Sequence, residues 1–149
     1  MNIGTLIGER FKSYADDFEL TFVDDDWKRL EKYFSCDAIY STVGLHKTRT
    51  EGRKRLLDVL KHNISNFDRK CDSRTLTTVD GPHLNEQILT RTWRSEFTLQ
   101  GADDLVIEGH EKAVYVGKHI VLLEEEIFAV SAARMAAWLE RYGANLLRS

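Results

Sequence analysis

An α+β fold is predicted by three features of this 149-residue chain. Apolar residues step by threes and fours as far as residue 67, alternate in twos from residue 73 to about 130, and return to a helical step near the end. Helices first and a run of turn-linked strands afterwards describe helices laid over one face of a mostly antiparallel sheet.

Ile7, Phe11, Tyr14, Phe18 and Phe22 form one apolar stripe and predict a long first helix. Asp24, Asp25 and Asp26 interrupt it, and Trp27, Leu30 and Phe34 begin a shorter stripe. An aspartate just before such a stripe accepts hydrogen bonds from free helix N–H groups, so the triple aspartate is expected to cap the second helix and to carry no chemistry. Ala38 to Gly44 reads as a short strand. Thr50 and Glu51 are expected to open a third helix, with Leu57, Leu60, Ile64 and Phe67 on its apolar face. Residues 73–80, 84–99, 105–116 and 119–130 read as four strands, separated by Asp80-Gly-Pro, Gly101-Ala-Asp-Asp and Gly117-Lys118. Ser131 is expected to cap a last helix carrying Met135, Leu139, Tyr142 and Leu146.

The length suits one domain, taken as residues 1–149. A formal charge of −3 with the two signs interspersed argues against a nucleic-acid partner. No apolar run is long enough to span a membrane, and no basic segment precedes an apolar core at the N-terminus. Cys36 and Cys71 have no CxxC spacing and are read as reduced thiols, which predicts a cytoplasmic protein. The histidines show neither His-x-His nor HExxH spacing, and the run Glu124-Glu125-Glu126 points to alternate faces of a strand. With no glycine-rich phosphate loop or GxSxG elbow, no metal, nucleotide or other cofactor is expected.

The pattern of Asp26, Trp27, Leu30, Tyr33-Phe34, Asp37-Ala38 and Tyr40, followed much later by the turn Gly117-Lys118-His119-Ile120 and an acidic tail, resembles the nuclear transport factor two-like superfamily, in particular its SnoaL-like branch. The resemblance runs from about residue 5 to 130. It implies a cone: a strongly curved, mostly antiparallel, cystatin-like sheet, wrapped by three N-terminal helices and followed by a C-terminal one, with a ligand cavity at the open end. It also implies a homodimer through the outer sheet face, where Val106, Val114, Val116 and Ile120 are compatible with a contact. Fold alone does not choose a reaction, because this superfamily includes isomerases, dehydratases, epoxide hydrolases, cyclases and members with no catalysis.

Laid on ketosteroid isomerase, the oxyanion tyrosine falls on Phe18, the basic aspartate on Thr42 and the protonated acid near His110, so steroid isomerisation is excluded. Limonene epoxide hydrolase places its tyrosine, arginine and one acid on Tyr40, Arg91 and Glu125, but its second acid on Trp93 and its asparagine on Thr42. Scytalone dehydratase resembles Asp26 to Leu30 and the pair Gly109-His110, which carries a catalytic histidine there.

Strand alternation supplies a separate reading. Leu89, Arg91, Trp93, Ser95 and Phe97 share the more aromatic face of their strand and are assigned to the interior, where a charged Arg91 needs a partner, expected to be Glu125. Glu108, His110 and Lys112 share a polar face, which alternation alone gives to solvent and the resemblance gives to the cavity. The expected function is therefore a SnoaL-like protein binding a small hydrophobic molecule, a cofactor-free isomerase, dehydratase or cyclase. His110 would be the acid or base, Glu125 or Glu108 its orienting group, and Tyr40 and Arg91 the groups that hold a substrate oxygen, with Phe18, Thr42, Trp93, Phe97 and Glu108 in the pocket. The alternative is a non-catalytic ligand-binding or dimerisation module with the same cavity.

Overall fold

The structure, a computed structural model, describes residues 2–147. Met1, Arg148 and Ser149, the outermost residues of the expected 1–149 domain, lie outside the described residues. Helix α1 (Ile3–Asp24) opens the chain, with the Asn2 side chain accepting the Thr5 N–H at 2.8 Å as its cap. Ile7, Phe11 and Tyr14 are buried and Phe18 and Phe22 half-buried, so the predicted stripe faces the core along its length.

The three aspartates build a turn, and their side chains do not cap the second helix. Asp25 adopts the left-handed conformation (φ 63°) that ends α1, and its carboxylate accepts the Trp27 indole N–H at 2.8 Å. Asp24 is held by the Arg29 guanidinium and the Asp26 N–H, which lower its carboxyl to about 2. The turn leads into a 3₁₀ segment, Trp27–Tyr33, which delivers Trp27, Leu30 and Tyr33 to the core.

Strand β1 (Phe34–Val43) starts earlier than expected, at Phe34. Thr48–Glu51 forms a short strand, β2, antiparallel to β1, where a helix start was expected. Gly52, at φ 99°, turns the chain into helix α2 (Arg53–Asn66), which buries Leu56, Leu57, Leu60 and Ile64.

The sheet continues with β3 (Ser73–Asn85), β4 (Ile88–Thr98), β5 (Leu105–Val116) and β6 (His119–Ile127). Asp80-Gly-Pro is not the turn between β3 and β4. It lies within β3, where the register shifts on either side of Asp80, and the reversal comes at Glu86 (φ 56°) and Gln87. β3 is an edge strand, and an edge accommodates a proline and a bulge without losing a central hydrogen-bond ladder.

The sheet order is β2-β1-β6-β5-β4-β3, antiparallel throughout except that β1 runs parallel to β6. A register shift between Val114 and Tyr115 turns Ile120 inward, fully buried, and so removes it from the outer face on which it was expected.

Helix α3 (Ala129–Tyr142) folds back onto β5. Ser131 lies inside α3 and does not cap it; its buried hydroxyl accepts the Glu108 N–H at 2.9 Å. Trp138, absent from the predicted stripe, anchors the helix by donating to the Asp103 carbonyl at 2.7 Å. Buried side chains divide into two clusters, one under α1 and α2 and the other around Trp93, Phe97 and Trp138. Among the described residues no helix is long and apolar enough to cross a membrane.

Candidate active site

A cavity of about 710 Å³ opens where the two clusters meet, lined by residues of both. Its walls are mainly apolar: Phe18 from α1, Trp93 and Phe97 from β4, Ile107 from β5 and Met135 from α3. Trp93 lies against Gly109, directly opposite on β5. A Cβ at that glycine would meet the indole at 2.4 Å and the Glu126 carbonyl at 2.1 Å. Glycine there is what lets the ring lie against the sheet.

Polar groups concentrate at one level of the sheet. Thr42, Glu125, Glu111 and Arg91 stand opposite one another in turn on β1, β6, β5 and β4, and all four line the cavity. Neighbouring strands lie about 4.8 Å apart, so side chains on one face of such a row can interlock. Arg91 Nε donates to Glu111 Oε1 at 2.7 Å and Nη1 to Thr78 Oγ1 at 3.0 Å, and the guanidinium lies 5.1 Å from the Phe11 ring centre. Arg91 and Glu111 side chains are only 10% and 5% exposed, so each charge depends on the other.

Glu125 stands directly opposite Glu111 on the neighbouring strand and accepts a hydrogen bond from the Tyr40 hydroxyl at 2.9 Å. Burial, then the neighbouring Glu111, push its carboxyl up to about 8. Burial therefore favours the protonated form of Glu125, while Glu111 beside it is ion-paired with Arg91. Burial and the two acids also raise the phenols of Tyr40 and Tyr14, the latter reaching the cavity from α1, and keep both neutral donors.

The structure brings Tyr40, Arg91, Glu125, Thr42, Phe18, Trp93 and Phe97 to one cavity. Thr42 is engaged locally, its hydroxyl hydrogen-bonded with Thr48 Oγ1 at 2.7 Å and close to the His46 carbonyl. His110 and Glu108 are corrections. On β5 it is the buried face of Leu105, Ile107, Gly109, Glu111 and Ala113 that looks inward, so His110 and Glu108 stand on the outer face. His110 is flanked there by Thr92 and Glu126, and Glu108 pairs with Arg94 at 3.2 Å. The partner of Arg91 is Glu111 and not Glu125. Glu111 was legible by the argument applied to Arg91, a charge on an apolar strand face. Tyr14 was read only as core.

Among the described residues no group of three His, Cys, Asp or Glu side chains converges in a way that would hold a metal ion. No protein-family model and no curated protein matches this sequence. Solved structures do match in three dimensions. An NTF2-like protein from Anabaena variabilis superposes with a TM-score of 0.68 at 12% identity, over 87% of this chain and 94% of that one. A protein assigned to the SnoaL-like polyketide cyclases, from Shewanella denitrificans, gives 0.65 at 10% identity over 87% and 96%. An LEH-like epoxide hydrolase from Mycobacterium tuberculosis gives 0.61 at 12% identity over 92% and 95%.

Proposed function

We propose, from the nuclear transport factor two-like fold that these structures share with it, that this chain is a single SnoaL-like domain binding a small hydrophobic molecule and acting on it by general acid–base catalysis without a cofactor. Of the isomerase, dehydratase and cyclase chemistries, elimination of water from a hydroxyl-bearing carbonyl compound uses the site most fully. One observation carries this reading: Glu125 and the ion-paired Glu111 stand level on neighbouring strands at the wall of an apolar cavity, where burial raises the Glu125 carboxyl.

In this mechanism Glu111 takes a proton from the carbon next to the carbonyl, and Glu125 gives its proton to the departing hydroxyl, which leaves as water. The C–H electron pair becomes the new C=C bond. Glu111 is then protonated and Glu125 ionised, and one proton transfer between these neighbouring carboxyls restores the starting state. Arg91 holds Glu111 in place through their ion pair. Tyr14 supplies a phenolic donor near the substrate oxygen, and Tyr40, whose proton goes to Glu125, positions that acid. A cytoplasmic setting, consistent with the free Cys36 and Cys71, and a homodimer through the outer sheet face belong to the same reading.

The test is a panel of hydrophobic β-hydroxy ketones followed by ultraviolet absorbance of the enone product. Glu125→Gln and Glu111→Gln are each expected to lower kcat by about a hundredfold or more, the usual contribution of a positioned acid or base. Turnover unchanged in both variants would sink the mechanism. Binding of the panel with no turnover by the natural protein would assign the cavity to binding alone.

A further inference from the structure

Apart from aromatic residues, the polar or charged residues buried among the described ones are Thr21, Ser95, Glu111 and Ser131. Three of them have partners. Thr21 Oγ1 donates to the Asp26 carbonyl at 3.2 Å, Glu111 accepts from Arg91 at 2.7 Å, and Ser131 Oγ accepts the Glu108 N–H at 2.9 Å. Ser95 is 5% exposed, and its hydroxyl has no hydrogen-bond partner among the described residues.

Its position explains why. On the inner face of β4 it stands between Trp93 and Phe97, and directly across from Leu76 of β3 and Ile107 of β5, so its neighbours along and across the strands are apolar. All five residues line the cavity. Ser95 Oγ is not one of the interior polar atoms that are both sealed and unpartnered, which are Arg74 Nε and the Tyr115 hydroxyl. Its open side is therefore the cavity. A hydroxyl in an apolar wall is costlier than the methyl of an alanine unless its missing hydrogen bond is supplied, and an occupant of the cavity can supply it.

We propose that Ser95 is a specificity residue, donating its hydroxyl proton to a second, uncharged oxygen of the ligand, a carbonyl set in an otherwise apolar body. Ser95 is four residues from Arg91 along β4, so this oxygen lies no more than about 13 Å along the wall from the acid centre. A carbonyl suits the site because it accepts the serine proton and brings no proton of its own to place. An anionic group does not, because Arg74, the next residue on that face of β3 beyond Leu76, is already paired with both Glu19 and Asp68. The inference rests on reading the cavity as a small-molecule site and does not depend on the elimination mechanism.

The test uses isothermal titration calorimetry with an eleven-carbon methyl ketone and the eleven-carbon diketone that carries a second carbonyl next to its opposite end. An extra carbonyl weakens binding to a purely apolar wall, so the sign of the change is diagnostic. The diketone is expected to bind at least about fivefold more tightly, within the range of one net hydrogen bond and above the twofold that its two equivalent ends supply. In Ser95→Ala the ratio should fall to about twofold or less, with the monoketone affinity kept. The empty variant should melt no lower than the natural protein, since it loses an unpartnered hydroxyl. Equal binding of the two ketones, a preference that survives Ser95→Ala, or a lower melting temperature for that variant would each overturn the assignment. Binding of neither ketone would remove the small-molecule reading of the cavity and this inference with it.

Discussion

Glu125 stays protonated in the folded protein over a range in which it ionises in the unfolded chain. Its folded value, about 8, lies above the ordinary 4.5, so between these pH values the native state binds one more proton than the unfolded state. Its contribution is fully present below about pH 4.5 and is lost as pH rises towards 8. Melting temperatures measured from pH 5 to 8 should therefore decline, and Glu125→Gln should flatten that decline; an equally steep profile in the variant would contradict the assignment. Activity should fall through the same upper limit, because the donor must hold its proton. Arg91→Met leaves Glu111 buried without its counter-charge and should cost about 3–5 kcal/mol in denaturant unfolding. Arg91→Met/Glu111→Leu should recover most of that loss, since no buried charge is then stranded. These residues also show what could be read in advance. Arg91 announced its need for a partner by being charged on an aromatic face, and Glu111 does the same on β5. His110 was drawn towards the site by resemblance, although alternation alone placed it correctly on the outer face.

At the level of the elements, the strands were more legible than the joints between them. β4 and β5 alternate cleanly because one face is buried, so composition reports orientation directly. β6 does not, because the register shift at Val114 and Tyr115 breaks the period that the reading relies on, and no residue type signals it. The Asp80-Gly-Pro stretch has the chemistry of a turn, but its place on a sheet edge lets the strand continue past it. Gly109 is the clearest case of one element shaping another. Gly109→Ala places a methyl group against the Trp93 ring and the Glu126 backbone, and should destabilise by about 3 kcal/mol in urea unfolding while changing ligand affinity, because the indole forms a cavity wall. A variant with natural stability would show that the sheet opens more easily than this packing implies.

For the whole molecule, the cone and its helices were legible because order, period and motif spacing agree, whereas the pairing of Glu111 with Glu125 was not, because it depends on which residues two separate strands bring level. The outer face carries Val106, Val114 and Leu122 half-buried and Val116 exposed, beside charged Arg94, Glu108 and Lys112. Light scattering after size exclusion should give twice the chain mass, and Val114→Glu should shift it towards the monomer; a monomer throughout would end the dimer reading. The parallel seam between β1 and β6 adds a dimension of time. Tyr40 and Glu125 are 85 residues apart and meet only across that seam. A chain growing on the ribosome holds the phenol from its first third but has no acid for it until the last strand has emerged and travelled back across the sheet. The Tyr40–Glu125 contact is thus among the last the growing chain can make, and it forms only when β6 seals the sheet against β1.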